Sequence, residues 1–271
     1  MSKLIASDAL WKEGGGYYTE KPDDLRRQPL LPNTQKLLDR RTLALFRDHG
    51  KLARGARVLE IGCGKSMWLP FLAREFGCEV AGLDIEPYAA ELARANLAGT
   101  GMRGEIFCRD AFDVRGNGDL VGRFDLLYSM GVMEHFENAA ERLALLANYL
   151  KPGGRLLTTV PNLQGLNWAM QRFVSVERLH MHVIYDTARL AAIHRRAGLH
   201  VLAAEYVGFY DGFMTAPDAG TPRARRLVHQ RLCWASNLLA VAWTRATRAR
   251  FAPETKWLAP HLFCVAQRPL A

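Results

Sequence analysis

Val58-Leu59-Glu60-Ile61-Gly62-Cys63-Gly64-Lys65 is the stretch that decides the fold. A short apolar run stops at Gly62, and residues 66–76 then carry helical spacing, so the segment reads as a buried strand, a glycine turn and the start of a helix. Glycines at such a turn let the backbone approach a ligand closely, because no Cβ stands in the way. The next apolar run, residues 79–83, stops at Asp84. That is about 20 residues beyond the second glycine, where a nucleoside-binding βαβ unit places the acid that accepts ribose hydroxyls.

Outward from this unit the alternation continues. Residues 87–97 read as a helix with Pro87 in its first turn. Residues 105–108 and 124–128 read as strands and 138–150 as a helix. Lys151-Pro152-Gly153-Gly154 is expected to be a turn before a strand at 155–160. Asp186 caps a helix ending near Gly198, and strands follow at 199–207 and 261–266. Strands alternating with helices predict an α/β protein with a Rossmann-like, doubly wound sheet. Upstream, Asn33 or Thr34 opens a helix that Gly50 ends. The chain thus divides into an N-terminal lid and helix, residues 1–50, and a main domain, residues 51–271, with helical insertions at 162–185 and 208–260. Insertions of that length are commonly lids or interaction elements.

Composition narrows the function classes. Of 271 residues 49% are hydrophobic, enough for a sizeable core, yet no run approaches the roughly 18 apolar residues of a membrane span. The start of the chain lacks the basic-then-apolar pattern of a secretory signal. Cys63, Cys78, Cys108, Cys233 and Cys264 are odd in number and scattered, which argues against a disulfide framework or a zinc site and predicts a cytoplasmic protein. The net charge of +9 is arginine-rich, densest between residues 223 and 250. That stretch is a candidate membrane-surface or homodimer contact, with a solvated helix face as the plain alternative.

The choice of cofactor rests on two residues. A dinucleotide turn prefers G-x-G-x-x-G, and here the last position is Met67. Glu60, just before the turn, suits a ligand carrying a cationic ammonium and sulfonium better than a pyrophosphate. Both points favour S-adenosylmethionine over NAD.

With these residues in place, the chain resembles the class I S-adenosylmethionine-dependent methyltransferases of small-molecule type. Glu60-Ile61-Gly62-Cys63-Gly64 is similar to their first motif, Leu83-Asp84 to the second and Arg109-Asp110-Ala111 to the third. Phe124-Asp125-Leu126-Leu127-Tyr128-Ser129 is similar to the fourth, and Leu150 to Leu156 to the turn and fifth strand. The resemblance covers roughly residues 57–207. It implies a mostly parallel sheet with an antiparallel last strand. It implies that Gly62, Cys63 and Gly64 pass under the cofactor, with Glu60 near its methionine end and Asp84 on the ribose. Ile85 would pack on the adenine, Asp110 and Ala111 would hold its edge, and Ser129 and Met130 would face the methionine moiety.

His135 is the candidate catalytic base, since an imidazole titrates near neutrality. Glu134-His135 bracing the cofactor pocket is the alternative. Tyr17 and Tyr18, in an aromatic segment like a methyltransferase lid, and Trp168, His180 and His182, in the first insertion, are the candidate substrate contacts. His180-x-His182 lacks an identifiable third ligand, so no metal is expected. The acceptor is expected to be a small molecule. Nucleic acid is disfavoured, because no Asn/Asp-Pro-Pro-aromatic tetrapeptide follows the fourth strand. A membrane-associated lipid acceptor and a non-catalytic cofactor-binding partner are the remaining alternatives.

Overall fold

A computed structural model describes residues 29–218, 220–247 and 253–270. Seven strands form one sheet: β1 (Arg57–Ile61), β2 (Glu79–Asp84), β3 (Glu105–Cys108), β4 (Phe124–Met130), β5 (Leu150–Pro161), β6 (His200–Val207) and β7 (His261–Gln267). Their order is β3-β2-β1-β4-β5-β7-β6. The first five pair in parallel, and β7 runs antiparallel between β5 and β6.

Side-chain alternation along the strands supplies a core on each face. Leu59, Ile61 and Leu127 pack on one side, under α4 (Ala139–Ala147) and α7 (Thr187–Arg196). Val58, Leu126 and Tyr128 pack on the other, under α1 (Leu37–His49), α2 (Trp68–Phe76) and α3 (Pro87–Gly99). Helix α1 is a core element: Phe46 is wholly buried, with its ring 5.1 Å from Trp68 and 5.0 Å from Tyr128.

Helix starts follow local chemistry. Asp186 accepts the N–H of Arg189 and caps α7. Glu86 accepts the N–H groups of Tyr88 and Ala89 and caps α3, with Pro87 in its first turn. The expected turn at residues 151–154 lies instead within β5, which begins at Leu150. Gly153 adopts φ +74, which keeps the chain in register while its N–H donates to Arg268 O and Gly154 O accepts from Arg268 N. The first insertion folds as α5 (Gly165–Val174) and α6 (Val176–His180), and the second is dominated by α8 (Arg223–Ala246).

Candidate active site

The sheet order reverses between β1 and β4, which opens a crevice at the carboxyl ends of those strands, where ligands bind in open α/β sheets. Gly62 has φ +66, a left-handed conformation costly for other residues, and a Cβ there would lie 2.8 Å from Val132 Cγ2. Two separate constraints therefore require glycine. Gly64, also at positive φ, donates its N–H to Asp84 Oδ2 at 2.8 Å. Asp84 Oδ1 accepts the N–H of Glu86 at 3.0 Å. The acid at the end of β2 thus fastens the glycine turn to the start of α3, and each of its oxygens keeps a second lone pair for a ligand. Burial raises its carboxyl above the usual range. The Cys63 thiol lies against Gly82 of β2, where a Cβ would come within 2.8 Å of the sulfur, so Cys63 offers the crevice its backbone rather than its thiol.

Glu60 is buried beneath the turn. Its Oε2 accepts the Tyr128 hydroxyl at 2.8 Å, and Ser66 adds a second side-chain hydrogen bond. Burial nevertheless pushes its carboxyl up to about 8. The two hydroxyls offset that only in part, and a cation beside the carboxyl would favour its ionised form. Sequence reading found Glu60 but not Tyr128 and Ser66, because Tyr128 reaches it only through the pairing of β1 with β4.

The other cofactor candidates line the same edge. Ile85 is half-buried after β2, and its carbonyl accepts the Cys108 thiol at 3.9 Å. Asp110 accepts the N–H of Phe112 at 2.9 Å, and Ala111 O accepts the Tyr149 hydroxyl at 2.7 Å. Ser129 and Met130 end β4. The Ser129 hydroxyl is fully buried and without a partner among the described residues, an anomaly that a bound polar group would resolve.

Beyond β4 the chain turns at Gly131 into a short 3-10 turn, Met133–His135. Glu134 and His135 are each only 3% exposed. His135 Nδ1 lies 3.3 Å from Met181 O, its Nε2 lies 3.9 Å from Glu134 Oε1, and its ring centroid is 4.8 Å from that of His182. Burial, with His182 alongside, lowers the His135 imidazole to about 4, and burial raises the Glu134 carboxyl to about 8. Glu134 Oε2 has no hydrogen-bond partner among the described residues. His182 Nδ1 donates to Arg178 O at 2.6 Å.

The structure therefore joins His182 to Glu134 and His135, and not to His180, which is exposed at the end of α6. Ligand atoms of the three lie within 4.8 Å of one another, a set that could hold a divalent cation. The two residues that meet His182 lie on the β4 loop, 47 and 48 positions away in sequence, which is why no third ligand was visible beside His180 and His182. Trp168 is exposed on α5, with the Arg172 guanidinium over its ring. Tyr17 and Tyr18 lie outside the described residues. A separate cleft of about 810 Å³ opens between α1 and α8 and shares none of the candidate cofactor or substrate residues.

Comparison with known proteins agrees with this geometry. A family model described as a methyltransferase domain matches residues 30–204. The ubiquinone biosynthesis O-methyltransferase of Xanthomonas axonopodis pv. citri is 28% identical over 155 residues, covering 54% of this chain and 64% of that protein. The protein of the same name from Xylella fastidiosa strain 9a5c is 32% identical over 155 residues, covering 54% and 62%. The matched region thus spans less than two thirds of these curated relatives. Among solved structures, the cyclase SpnF is similar at TM-score 0.58 and 17% identity, covering 98% of this chain and 93% of that one. A geranyl diphosphate C-methyltransferase from Streptomyces coelicolor A3(2) is similar at TM-score 0.56 and 15% identity, covering 85% and 76%. Such distant likeness establishes the fold alone, and the two neighbours' differing activities show why.

Proposed function

The chain belongs to the methyltransferase-domain family, and from that premise we propose that it transfers a methyl group from S-adenosylmethionine to a small-molecule acceptor. The observation that carries the proposal is Glu60: a buried carboxylate, aimed by Tyr128 and Ser66, beneath a turn that only glycine can form. A cationic ammonium there would hold it ionised, whereas a pyrophosphate would be repelled. Asp84 would accept from the ribose hydroxyls, Asp110 and Ala111 would border the adenine with Ile85 on its face, and the orphan Ser129 hydroxyl would bond the methionine end.

The cofactor supplies an already activated methyl carbon on sulfur, which an acceptor nucleophile displaces directly. The protein's own work is alignment and exclusion of water, so no base or metal is required by the chemistry itself. We assign His135 the bracing role. It is buried, is neutral at physiological pH because its imidazole sits near 4, and lies by Nδ1 against the backbone at Met181. A base drawing a proton from an acceptor at pH 7 would need a pKa nearer neutrality. Held this way, Glu134 and His135 tie the β4 loop to the first insertion, which the Val183 N–H reinforces by donating to Glu134 O at 2.6 Å.

A small-molecule acceptor is supported by the names of the relatives, which refer to ubiquinone biosynthesis and geranyl diphosphate. A cytoplasmic location is supported by five free cysteines and by no described helix being long and apolar enough to cross a membrane. The test is turnover. Incubation with S-adenosylmethionine and a panel of phenols, amines and prenylated acceptors should yield S-adenosylhomocysteine with at least one of them. Turnover only on RNA or DNA would contradict the acceptor class, and cofactor binding without turnover on any acceptor would favour a non-catalytic protein.

A further inference from the structure

Helix α8 is oriented against the usual rule for a surface helix, which turns its apolar stripe to the core. The residues it buries are His229 and Cys233. His229 Nε2 lies 2.8 Å from the Thr215 hydroxyl, and the Cys233 thiol donates to Gly212 O at 3.1 Å. Ser236, Ala240 and Thr244 continue the same side, half-buried. The inward stripe is thus small and largely polar. The outward face carries Leu227, Leu232, Trp234, Leu238, Leu239 and Val241, each 44 to 67% exposed. From Leu227 to Val241 this face extends about 21 Å along the helix.

Charge decides what covers it. From residue 219 to 253 the sequence has no aspartate or glutamate, while α8 carries Arg223, Arg225, Arg226, Arg231 and Arg245. Arg231 is exposed within the apolar face, one turn from Leu227 and Trp234. Two copies of α8 pressed together would bury Arg231 with no carboxylate on either helix to pair it, an arrangement that leaves a charge uncompensated. At a bilayer the same residue can extend its stem along the apolar surface and set its guanidinium among phosphates. The flanking surface has matching chemistry. Phe173 of α5 lies under Arg225 of α8, and the exposed Trp168 and Trp257 lie under Arg172 and Lys256. Indole rings beside cations suit the boundary between headgroups and acyl chains. No described helix can cross a membrane.

We propose that α8 lies in the plane of an anionic bilayer surface, its apolar face among the outer acyl carbons and its exposed Arg223, Arg231 and Arg245 among the phosphates. The proposal stands on this face and its flanking surface and does not rest on methyl transfer.

Co-sedimentation of the full chain with vesicles tests it without an activity readout. Vesicles of phosphatidylcholine with about one third phosphatidylglycerol should bind the chain at least about tenfold more tightly than phosphatidylcholine alone. Raising the salt from about 0.05 to about 0.5 M should weaken that binding by a similar factor. The double variant Trp234→Glu/Leu239→Glu, altered at two outward positions, should keep its thermal unfolding and lose at least about tenfold in vesicle affinity. Val121→Glu, at an exposed apolar position outside α8, should bind as the wild type does. Should the double variant fail to fold, Arg231→Glu reads the same loss. Absence of vesicle binding, equal binding to neutral vesicles, or a double variant that binds normally would overturn the proposal. So would a stable dimer that the double variant splits while vesicles are ignored, which would make the face a contact between two copies.

Discussion

Asp84 commits both carboxylate oxygens to backbone N–H groups, at Gly64 and Glu86, before any ligand arrives. Its removal therefore acts twice. Hydrogen bonds to a charged group are worth about 1.5–3 kcal/mol each. Asp84→Ala is accordingly expected to lower S-adenosylhomocysteine affinity by about 10- to 100-fold and to lower the melting temperature as well. Calorimetry well below the transition reads the first effect, and unchanged affinity would remove Asp84 from the cofactor site. For His135 the bracing role predicts that His135→Ala weakens cofactor binding while the pH dependence of turnover between about pH 6 and 8 stays as in the wild type. A rate loss of about 10²–10⁴ with normal affinity, and loss of a titrating limb, would restore the base role. The glycines and the acid were legible in the sequence because strand, turn and spacing are local. The partners were not: Tyr128 meets Glu60, and His182 meets His135, only through the assembled sheet and insertion.

At the scale of elements, α1 belongs with the core. Phe46→Ala removes a ring that touches Trp68 and Tyr128, and through Tyr128 it loosens the hold on Glu60. A buried phenylalanine truncated to alanine costs about 3–5 kcal/mol, so the urea midpoint should fall sharply. A loss below about 1 kcal/mol would show that α1 is detachable. The alternation of strands and helices made these elements readable from periodicity alone. At residues 151–154 it failed for a physical reason: proline and glycine signal a turn, yet Gly153 at positive φ keeps this segment paired beside the chain that leaves β7. The segment of α8 was visible as the arginine-dense residues 223–250, but which side it turns outward depends on the loop holding Thr215 and Gly212 against it.

For the whole molecule, buried titrating groups give the folding equilibrium a pH dependence of definite sign. His135 and His194 are held near 4, below their unfolded value of 6.5, so their contribution is complete above 6.5 and is lost as pH falls towards 4. Glu60 and Glu134 are held near 8, above 4.5, so theirs is complete below 4.5 and is lost as pH rises through 8. Between 6.5 and 8 only the carboxyls act, and the ligand-free protein should melt at a lower temperature at pH 8.5 than at pH 6.5. Glu60→Gln should reduce that slope, and an unaltered slope would mean that Glu60 is already ionised. The same residue underlies the functional reading, since a cation bound beside it must displace its proton. Calorimetric titration with S-adenosylhomocysteine at pH 7, in two buffers of different ionisation enthalpy, tests this most directly. The expected result is one site per chain, release of a proton on binding in the wild type, none in Glu60→Gln, and no heat with NADH. Saturable binding of NADH, or no binding of S-adenosylhomocysteine, would contradict the account.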